Sequence, residues 1–375
     1  MRENWKYVSF EDCLQKVPKQ QAVKSKDYLE NGLFPIVSQE SDLISGYTSD
    51  EHILYKHKKP VIIFGDHTKN IKYIDFNFVV GADGVHILSV KDDILPKFFY
   101  YELCSIKLRN LGYARHYKLL KEKEICYPDI AEQEKIVSFL DAEFAKIDAL
   151  RANTEQQLQA AKDLFQSALK QLLTSKEGWE EKELKDICTS IKDGDWIERK
   201  DQSISGIRLL QTGNIGVGIY KDKSDSPHYI SLDTFNRLHC EEVFEGDILL
   251  SRLPEPVGRA CLVPKMEGRF ITAVDCSIIK LNTDKISPEY FIFYTQTNAY
   301  FKNISSLCTG TTRQRISRKR LEEVTISFPS LPEQERIAAR LDTISDKVKA
   351  LQENYNKTLV LCNDLKQSLL KSIFE

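Results

Sequence analysis

The chain states one plan twice, and any fold it adopts must accommodate that. An irregular segment followed by a long helical pattern, residues 5–173, recurs as residues 179–373. The run PDIAEQEKIVSFLDAEFAKIDAL from Pro128 aligns with PSLPEQERIAARLDTISDKVKAL from Pro329 at an offset of 201. The match continues without a gap to QSALK against QSLLK. Ahead of the helices the copies have diverged. Trp5 pairs with Trp179 at offset 174, and Asp83 with Asp275 and Pro96 with Pro288 at offset 192. Fixed helices that follow variable segments predict one scaffold presenting two different surfaces.

Each helical run opens on a capping pattern. Asp129-Ile130-Ala131-Glu132 and Ser330-Leu331-Pro332-Glu333 place a cap oxygen three residues before a Glu that can bond back. Pro332 falls in the first turn, where its missing N–H costs nothing. Roughly 44 residues at 1.5 Å each make a rod of about 66 Å, too long to sit inside one domain. Leu140, Phe144, Ile147, Leu158, Ala161, Phe165, Ala168 and Leu172 form an apolar stripe in three- and four-residue steps, interrupted by Arg151 and Thr154. Leu341, Ile344, Val348, Leu351, Tyr355, Cys362, Leu365 and Leu369 form a second. Two such stripes in one chain most simply bury each other, and the chain order makes the pair antiparallel with a module at each end.

Between the helical runs the pattern shortens to strands and turns. KKPVIIFGD, NFVVGADGVHILSV, GDILLSR and FITAVDCSIIKL are β-branched or aromatic runs bounded by Gly, Asp, Asn and Pro. The clusters PKFFYYEL from Pro96 and PEYFIFYTQ from Pro288 predict short amphipathic helices whose aromatics enter the core. The fold class expected is therefore α+β: two mixed α/β globular modules separated by an antiparallel two-helix coiled coil, with an internal pseudo-twofold repeat. The expected division is 1–128 for the first module, 129–175 for its helix, 176–328 for the second module and 329–375 for the last helix.

With 375 residues there is room for two or three domains with real cores. The polar start MRENWKYVSF and the lack of an apolar run near 18 residues predict neither leader nor membrane span, and a cytoplasmic protein. Nine cysteines without a C-x-x-C pair predict reduced core residues rather than a zinc knuckle or disulfide framework, and no metal site is expected. Catalytic signatures are missing too. No phosphate-binding G-x-x-x-x-G-K-[ST] occurs, and Gly213, Gly216 and Gly218 are in the wrong order for a dinucleotide fingerprint. Neither H-E-x-x-H, G-x-S-x-G nor an adenine-methylation motif is found, so any chemistry is expected in another chain.

A net charge of −2 argues at face value against nucleic acid, but the average hides a pattern. From Leu103 to Lys121 there is no acidic residue, only Lys107, Arg109, Arg115, Lys118 and Lys121, with His116 among them. From Tyr290 to Leu321 there is again none, while Lys302, Arg313, Arg315, Arg318, Lys319 and Arg320 supply six positive charges. Two basic patches at matching places suit phosphate contacts, which need local Lys and Arg. A solvated basic face balancing acidic helices remains the alternative.

The order of variable module, EQEKI helix, variable module and PEQERI helix resembles the specificity subunit of Type I restriction-modification systems, over essentially the whole chain. IIFGDHTKNIKYIDFNFVVGADGVHIL from Ile62, LLQTGNIGVGIY from Leu209 and GTTRQRISRKRLEEVTISFP from Gly310 look like stretches of that family's target-recognition domains. The first module departs from the last of these, carrying the shorter GYARHYKLLKEKEICYP from Gly112. The resemblance implies double-stranded DNA as ligand, each module reading half of an asymmetric bipartite site while the helices measure the unread spacer. It implies two modification subunits docked along the helices, binding S-adenosylmethionine and methylating adenine N6 after flipping it from the duplex. It also leaves room for two restriction subunits using ATP and Mg2+, for a nucleoid location, and for no cofactor or catalytic residue in this chain.

The basic loops are the expected reading heads. Arg313 and Arg315 suit guanine O6 and N7, and Gln314 suits adenine. Arg318, Lys319 and Arg320 suit phosphates, which position without specifying bases. In the first module Arg109, Arg115, His116 and Lys118 are the analogues, with His67 and Lys69 in a second polar loop that is open equally to a plain turn stabilised by Asp66 and Thr68. Asn214 in QTGNIG is a weaker candidate, since Gly-Asn-Ile is also ordinary turn chemistry. Leu140, Phe144, Ile147, Leu158, Phe165, Leu341, Val348, Leu351, Tyr355 and Leu365 are expected to serve helix pairing and partner docking. Rival readings are an orphan or regulatory bipartite DNA-binding protein, a fused nuclease-methyltransferase's specificity chain, and a coiled-coil adaptor that binds only proteins.

Overall fold

The computed structural model describes residues 4–112, 114–310 and 314–375. The chain divides into two compact units, one formed by the segment ending at Glu155 with Asn356–Glu375, the other by Gln156–Tyr355. Each unit therefore takes a module, the first part of the helix that follows it, and the last part of the other helix.

In the first unit an antiparallel sheet runs in the order Leu14–Gln15, Val85–Val90, Val61–Gly65, Ile71–Ile74. A five-stranded sheet runs Ala22–Val23, Phe78–Gly81, Phe34–Val37, Gly46–Thr48, with Leu54–Tyr55 also on Phe78–Gly81. The second unit repeats the four-stranded plan as Cys188–Asp193, Cys276–Leu281, Ile248–Ser251, Ala260–Leu262. Its five-stranded sheet is built differently, from Gln202–Ser203, His228–Ile230, Ile207–Leu210, Phe270–Thr272 and Glu242–Val243.

A two-stranded ribbon closes each module against its helix, and its register carries the repeat. Lys6 opposes Tyr127 and Glu180 opposes Phe328, so the entry and exit strands match residue for residue. Pro96 and Pro288 open the predicted aromatic helices Pro96–Ser105 and Pro288–Tyr294. Phe98, Phe99, Tyr290 and Phe291 are fully buried. Trp5 lies 6.0 Å from Phe98 and Trp179 lies 6.4 Å from Tyr290, giving both copies the same tryptophan wedge.

The long helices run Ile130–Leu173 and Leu331–Phe374, 44 residues each. The Glu132 amide donates to Asp129 Oδ1 at 3.0 Å, as the cap pattern predicts. The glutamates do not bond back. Glu132 reaches Lys135 at 3.3 Å and Glu333 holds Arg336 through two bonds of 2.6 and 2.7 Å. The fixture is the next residue. Gln133 is fully buried, donating from Nε2 to the carbonyls of Asp93 and Pro128 at 2.9 Å each while its Oε1 accepts from the Leu95 amide at 2.8 Å. Gln334 repeats this with Lys285 and Pro329 as acceptors and the Ser287 amide as donor. One amide side chain thus ties each helix start to the loop entering the aromatic helix.

Leu140 and Phe144 join the core of the first unit, which Leu370 and Phe374 complete. Asp148 meets Lys366 at 2.5 Å and Arg151 meets Asn363 at 3.5 Å, so these segments run antiparallel. Phe165, Ala168, Leu169 and Leu173 share the core of the second unit with Ile337, Ala338 and Leu341. Ile147 and Val348 are buried, while Leu158 and Tyr355 are half-buried. Leu351 and Leu365 contradict the expected stripe, being 39% and 49% exposed. A three-four repeat drifts about 20° per heptad around a straight helix. By the last turns the buried face has moved, and Leu370 and Phe374 meet the aromatic core of the module instead.

Candidate nucleic-acid interface

In the first module the basic segment is held by one carboxylate. The strand Val61–Gly65 delivers Asp66 to the sheet end, where it is almost wholly buried. Its Oδ1 accepts from the Tyr117 amide at 2.8 Å, and Oδ2 lies 3.3 Å from His86 Nε2 and 3.9 Å from Arg115 Nε. The His86 ring stacks on Tyr117 at 3.8 Å. Burial alone would raise the Asp66 pKa, but the Tyr117 amide and His86 outweigh it and hold the carboxyl below its ordinary value. The acid therefore remains ionised beside Arg115.

His116 is a correction. It is fully buried, its Nδ1 bonded to the Asp66 carbonyl at 3.0 Å and its Nε2 accepting from the Leu111 amide at 3.1 Å. With both nitrogens engaged by backbone it fastens the loop and has no free edge for a base. Arg109 and Lys118 are exposed and have no ion pair with any described residue, while Arg115 is 82% exposed in its side chain. His67 and Lys69 sit in a turn stitched to Gln39. The His67 amide donates to Gln39 Oε1, and Thr68 Oγ1 and Asn70 Nδ2 donate to the Gln39 carbonyl. Lys69 has φ of +62°, in the left-handed region, which sets it at the turn apex.

The second module builds the same junction with the opposite charge. Strand Ile248–Ser251 delivers buried Arg252, whose carbonyl accepts from the Ile316 amide at 3.3 Å, as the Asp66 carbonyl accepts from His116 at 2.8 Å. Its guanidinium bonds to the Val274 carbonyl and lies 3.5 Å from Asp193. Asp193 also lies 3.8 Å from Arg318, and Arg315 pairs with Asp275 at 3.1 Å. Arg315 and Thr309 exchange two backbone bonds of 2.9 Å, closing a loop at whose edge Gln314 is exposed. Arg313 lies outside the described residues. Arg318 also bonds Glu322 at 3.3 Å, Arg320 donates to the Leu307 carbonyl at 2.8 Å, and Lys319 is exposed.

At Asn214 the turn alternative is the one realised. The residue is buried, accepting from the Gln211 amide and donating to the Lys221 carbonyl, so the turn chemistry exhausts it. The loop beside it is stapled by Arg259, which sequence reasoning passed over. Arg259 is buried and donates to the carbonyls of Ile215, Leu253, Pro256 and Thr212. Asp193 and Arg252 were missed likewise, because charge counting ranks unpaired runs and these are single residues at strand ends; Asp66 was read only as a turn stabiliser.

All nine cysteines are free, and among the described residues no His, Cys, Asp and Glu group is placed to hold a metal ion. No helix among those residues is long and apolar enough to cross a membrane.

The sequence profile of the Type I restriction modification DNA specificity domain matches the chain twice, over residues 2–160 and 176–359. The specificity subunit of the Escherichia coli Type I restriction enzyme EcoR124I/EcoR124II is 25% identical over 368 residues, spanning 92% of this chain and 87% of that one. A structure solved in a study of complex assembly and conformational transition of the type I R-M system superposes with TM-score 0.73 at 19% identity, covering 100% and 98% of the two chains. The HsdS subunit from Thermoanaerobacter tengcongensis gives TM-score 0.53 at 18% identity, covering 100% and 97%. At such identities these likenesses speak for the fold.

Proposed function

The chain belongs to the Type I restriction-modification DNA specificity family, and from that premise we propose that it reads an asymmetric bipartite DNA target, one half per module. The observation that carries the asymmetry is the junction beside each basic loop, acidic at Asp66 and cationic at Arg252. The two buried junctions hold exposed loops of different sequence, and those loops do not present the same donors and acceptors to a base edge. Arg115 in the first module, and Arg313, Gln314 and Arg315 in the second, are the proposed base readers. Arg109, Lys118, Lys69, His67, Arg318, Lys319 and Arg320 are the proposed backbone contacts, since contacts to phosphate and sugar position the protein without specifying bases.

Catalysis belongs, in this reading, to partner subunits. Two modification subunits bind S-adenosylmethionine, flip an adenine from each half-site and methylate N6; restriction subunits, where the system has them, supply ATP- and Mg2+-dependent cleavage. Exposed Phe139, Leu150, Leu164, Val360 and Leu361 on the long helices are the proposed docking faces, together with Leu351 and Leu365. The protein would work on the cell's own DNA, in the cytoplasm and at the nucleoid.

Single-molecule methylome sequencing of host DNA with and without the gene tests this. A gene-dependent asymmetric motif with N6-methyladenine in both halves is expected. A symmetric motif would overturn the two-reader assignment, and no motif together with no DNA binding by the purified chain would overturn the function. Arg313→Ala with Arg315→Ala is expected to alter one half of the motif only; equal loss at both halves would count against modular readout.

A further inference from the structure

A third basic element lies outside both loops. Between Asp12 and Asp27 the chain has no acidic residue but four lysines, Lys16, Lys19, Lys24 and Lys26. All four are exposed, and none forms an ion pair with any described carboxylate. Three exposed lysines elsewhere in this module are paired, Lys56 with Glu51 at 3.0 Å, Lys59 with Asp92 at 2.7 Å and Lys121 with Glu11 at 2.7 Å, while the exposed Lys58, Lys91, Lys107, Lys118 and Lys123 stand outside any acid-free run of four lysines. Four exposed cations in one acid-free segment raise the local positive potential, which an external anion would offset.

Strand pairing fixes where this segment lies. Leu14–Gln15 runs antiparallel to Val85–Val90 with Gln15 opposite Ser89, so the chain beyond Gln15 heads toward the Val85 end of that strand. Val85 is opposite Gly65, next to Asp66. Ala22–Val23 then pairs in parallel with Phe78–Gly81, Val23 opposite Gly81, which brings Lys24 and Lys26 to the turn Ala82–Gly84. That turn is tied to the same cluster, since the Asp66 amide donates to the Gly84 carbonyl at 2.8 Å. The lysine segment thus reaches the sheet edge that carries Asp66, His86 and Arg115. The corresponding connection of the second module, after Cys188–Asp193, is charge-balanced: Lys200 pairs with Glu198 at 2.7 Å and Arg237 with Asp201 at 2.6 Å.

We propose that residues 16–26 form a phosphate-gripping arm for the half-site read by the first module, binding the DNA backbone independently of sequence. This rests on the DNA-reading function proposed above and adds a contact present in one module only. Each phosphate neutralised steepens the fall of log K with log salt concentration by about 0.9. The test titrates the full chain with a duplex carrying its methylation motif at several salt concentrations, against a variant with Lys16, Lys19, Lys24 and Lys26 all changed to Gln. The slope is expected to become shallower by about 3 to 4, with the methylated motif unchanged. The quadruple Lys→Arg variant, which keeps the charge, is expected to keep the slope. An unchanged slope in the Gln variant would overturn the arm while leaving the reading of DNA intact, and an altered motif would make the segment a base reader instead. Wild-type chain that fails to bind the duplex would remove the function and the arm together.

Discussion

Gln133 and Gln334 show how much one side chain can settle. Each is a buried primary amide with both sides engaged by backbone, and each was visible in the sequence only as the middle letter of Glu-Gln-Glu. Removing such a group leaves a buried amide donor and two carbonyls without partners, at about 1–3 kcal/mol apiece before relaxation. Gln133→Ala or Gln334→Ala is expected to lower unfolding free energy by about 3 kcal/mol in denaturant titrations, whereas Glu132→Ala, on an exposed pair, should change it by less than about 1. Asp195 offers a pH test. Burial raises its pKa from 3.8 to about 6, so the folded state binds the proton more tightly than the unfolded one. Its destabilising effect is absent below pH 3.8 and grows as pH rises through about 6. Asp195→Asn, which stays neutral, is expected to melt with the wild type near pH 4 and above it at pH 8. Equal melting temperatures across that range would refute the shift. The same scale produced the misreading of His116 and decided Asn214 in favour of its turn. Both residue types suit DNA, and only the positions of the surrounding amides and carbonyls show that neither has an edge to spare.

At the scale of elements, the long helices were the most legible feature. A capping pattern, a long apolar period and a polar break after Leu173 are local properties, so their ends could be placed from local chemistry. The stripe was legible only where the helix stays in phase. Leu341→Ala, within the core, is expected to cost about 2–5 kcal/mol; Leu365→Ser, on an exposed turn, should cost less than about 0.5. A stability loss at Leu365 as large as at Leu341 would show that the residue is covered in the protein. Seven residues inserted into the first helix between Arg151 and Gln157 add about 10 Å of rise. The insertion is expected to lengthen the preferred spacer of the proposed target by about 3 base pairs, and an unchanged spacer would remove the helix as the measuring element. The strand runs were legible as runs, since β-branched clusters between turn residues are local too. Their partners were not.

For the molecule as a whole, each compact unit contains pieces distant in sequence. Phe374, almost the last residue, packs edge-on against Phe98 at 5.3 Å and belongs to the core of the first module. Phe374→Ala is therefore expected to cost about 3–5 kcal/mol and to weaken protection of first-module amides in hydrogen exchange while sparing residues 180–340. Uniform loss across both units would contradict that placement. By itself the sequence determined the duplication, the α+β class, the two helices and the basic segments, because repeats, periodicity and charge runs are written in neighbouring residues. Tertiary structure decided which cations keep a free edge, which polar residues are spent on backbone, and that the junctions at Asp66 and Arg252 are equivalent in place but opposite in charge. At Asp66 and Arg252 those outcomes depend on groups distant in sequence, His86 and Tyr117 at the one and Asp193 and Val274 at the other, meeting at a sheet end, and hydrogen-bond and ion-pair energies depend on distances that no local pattern encodes.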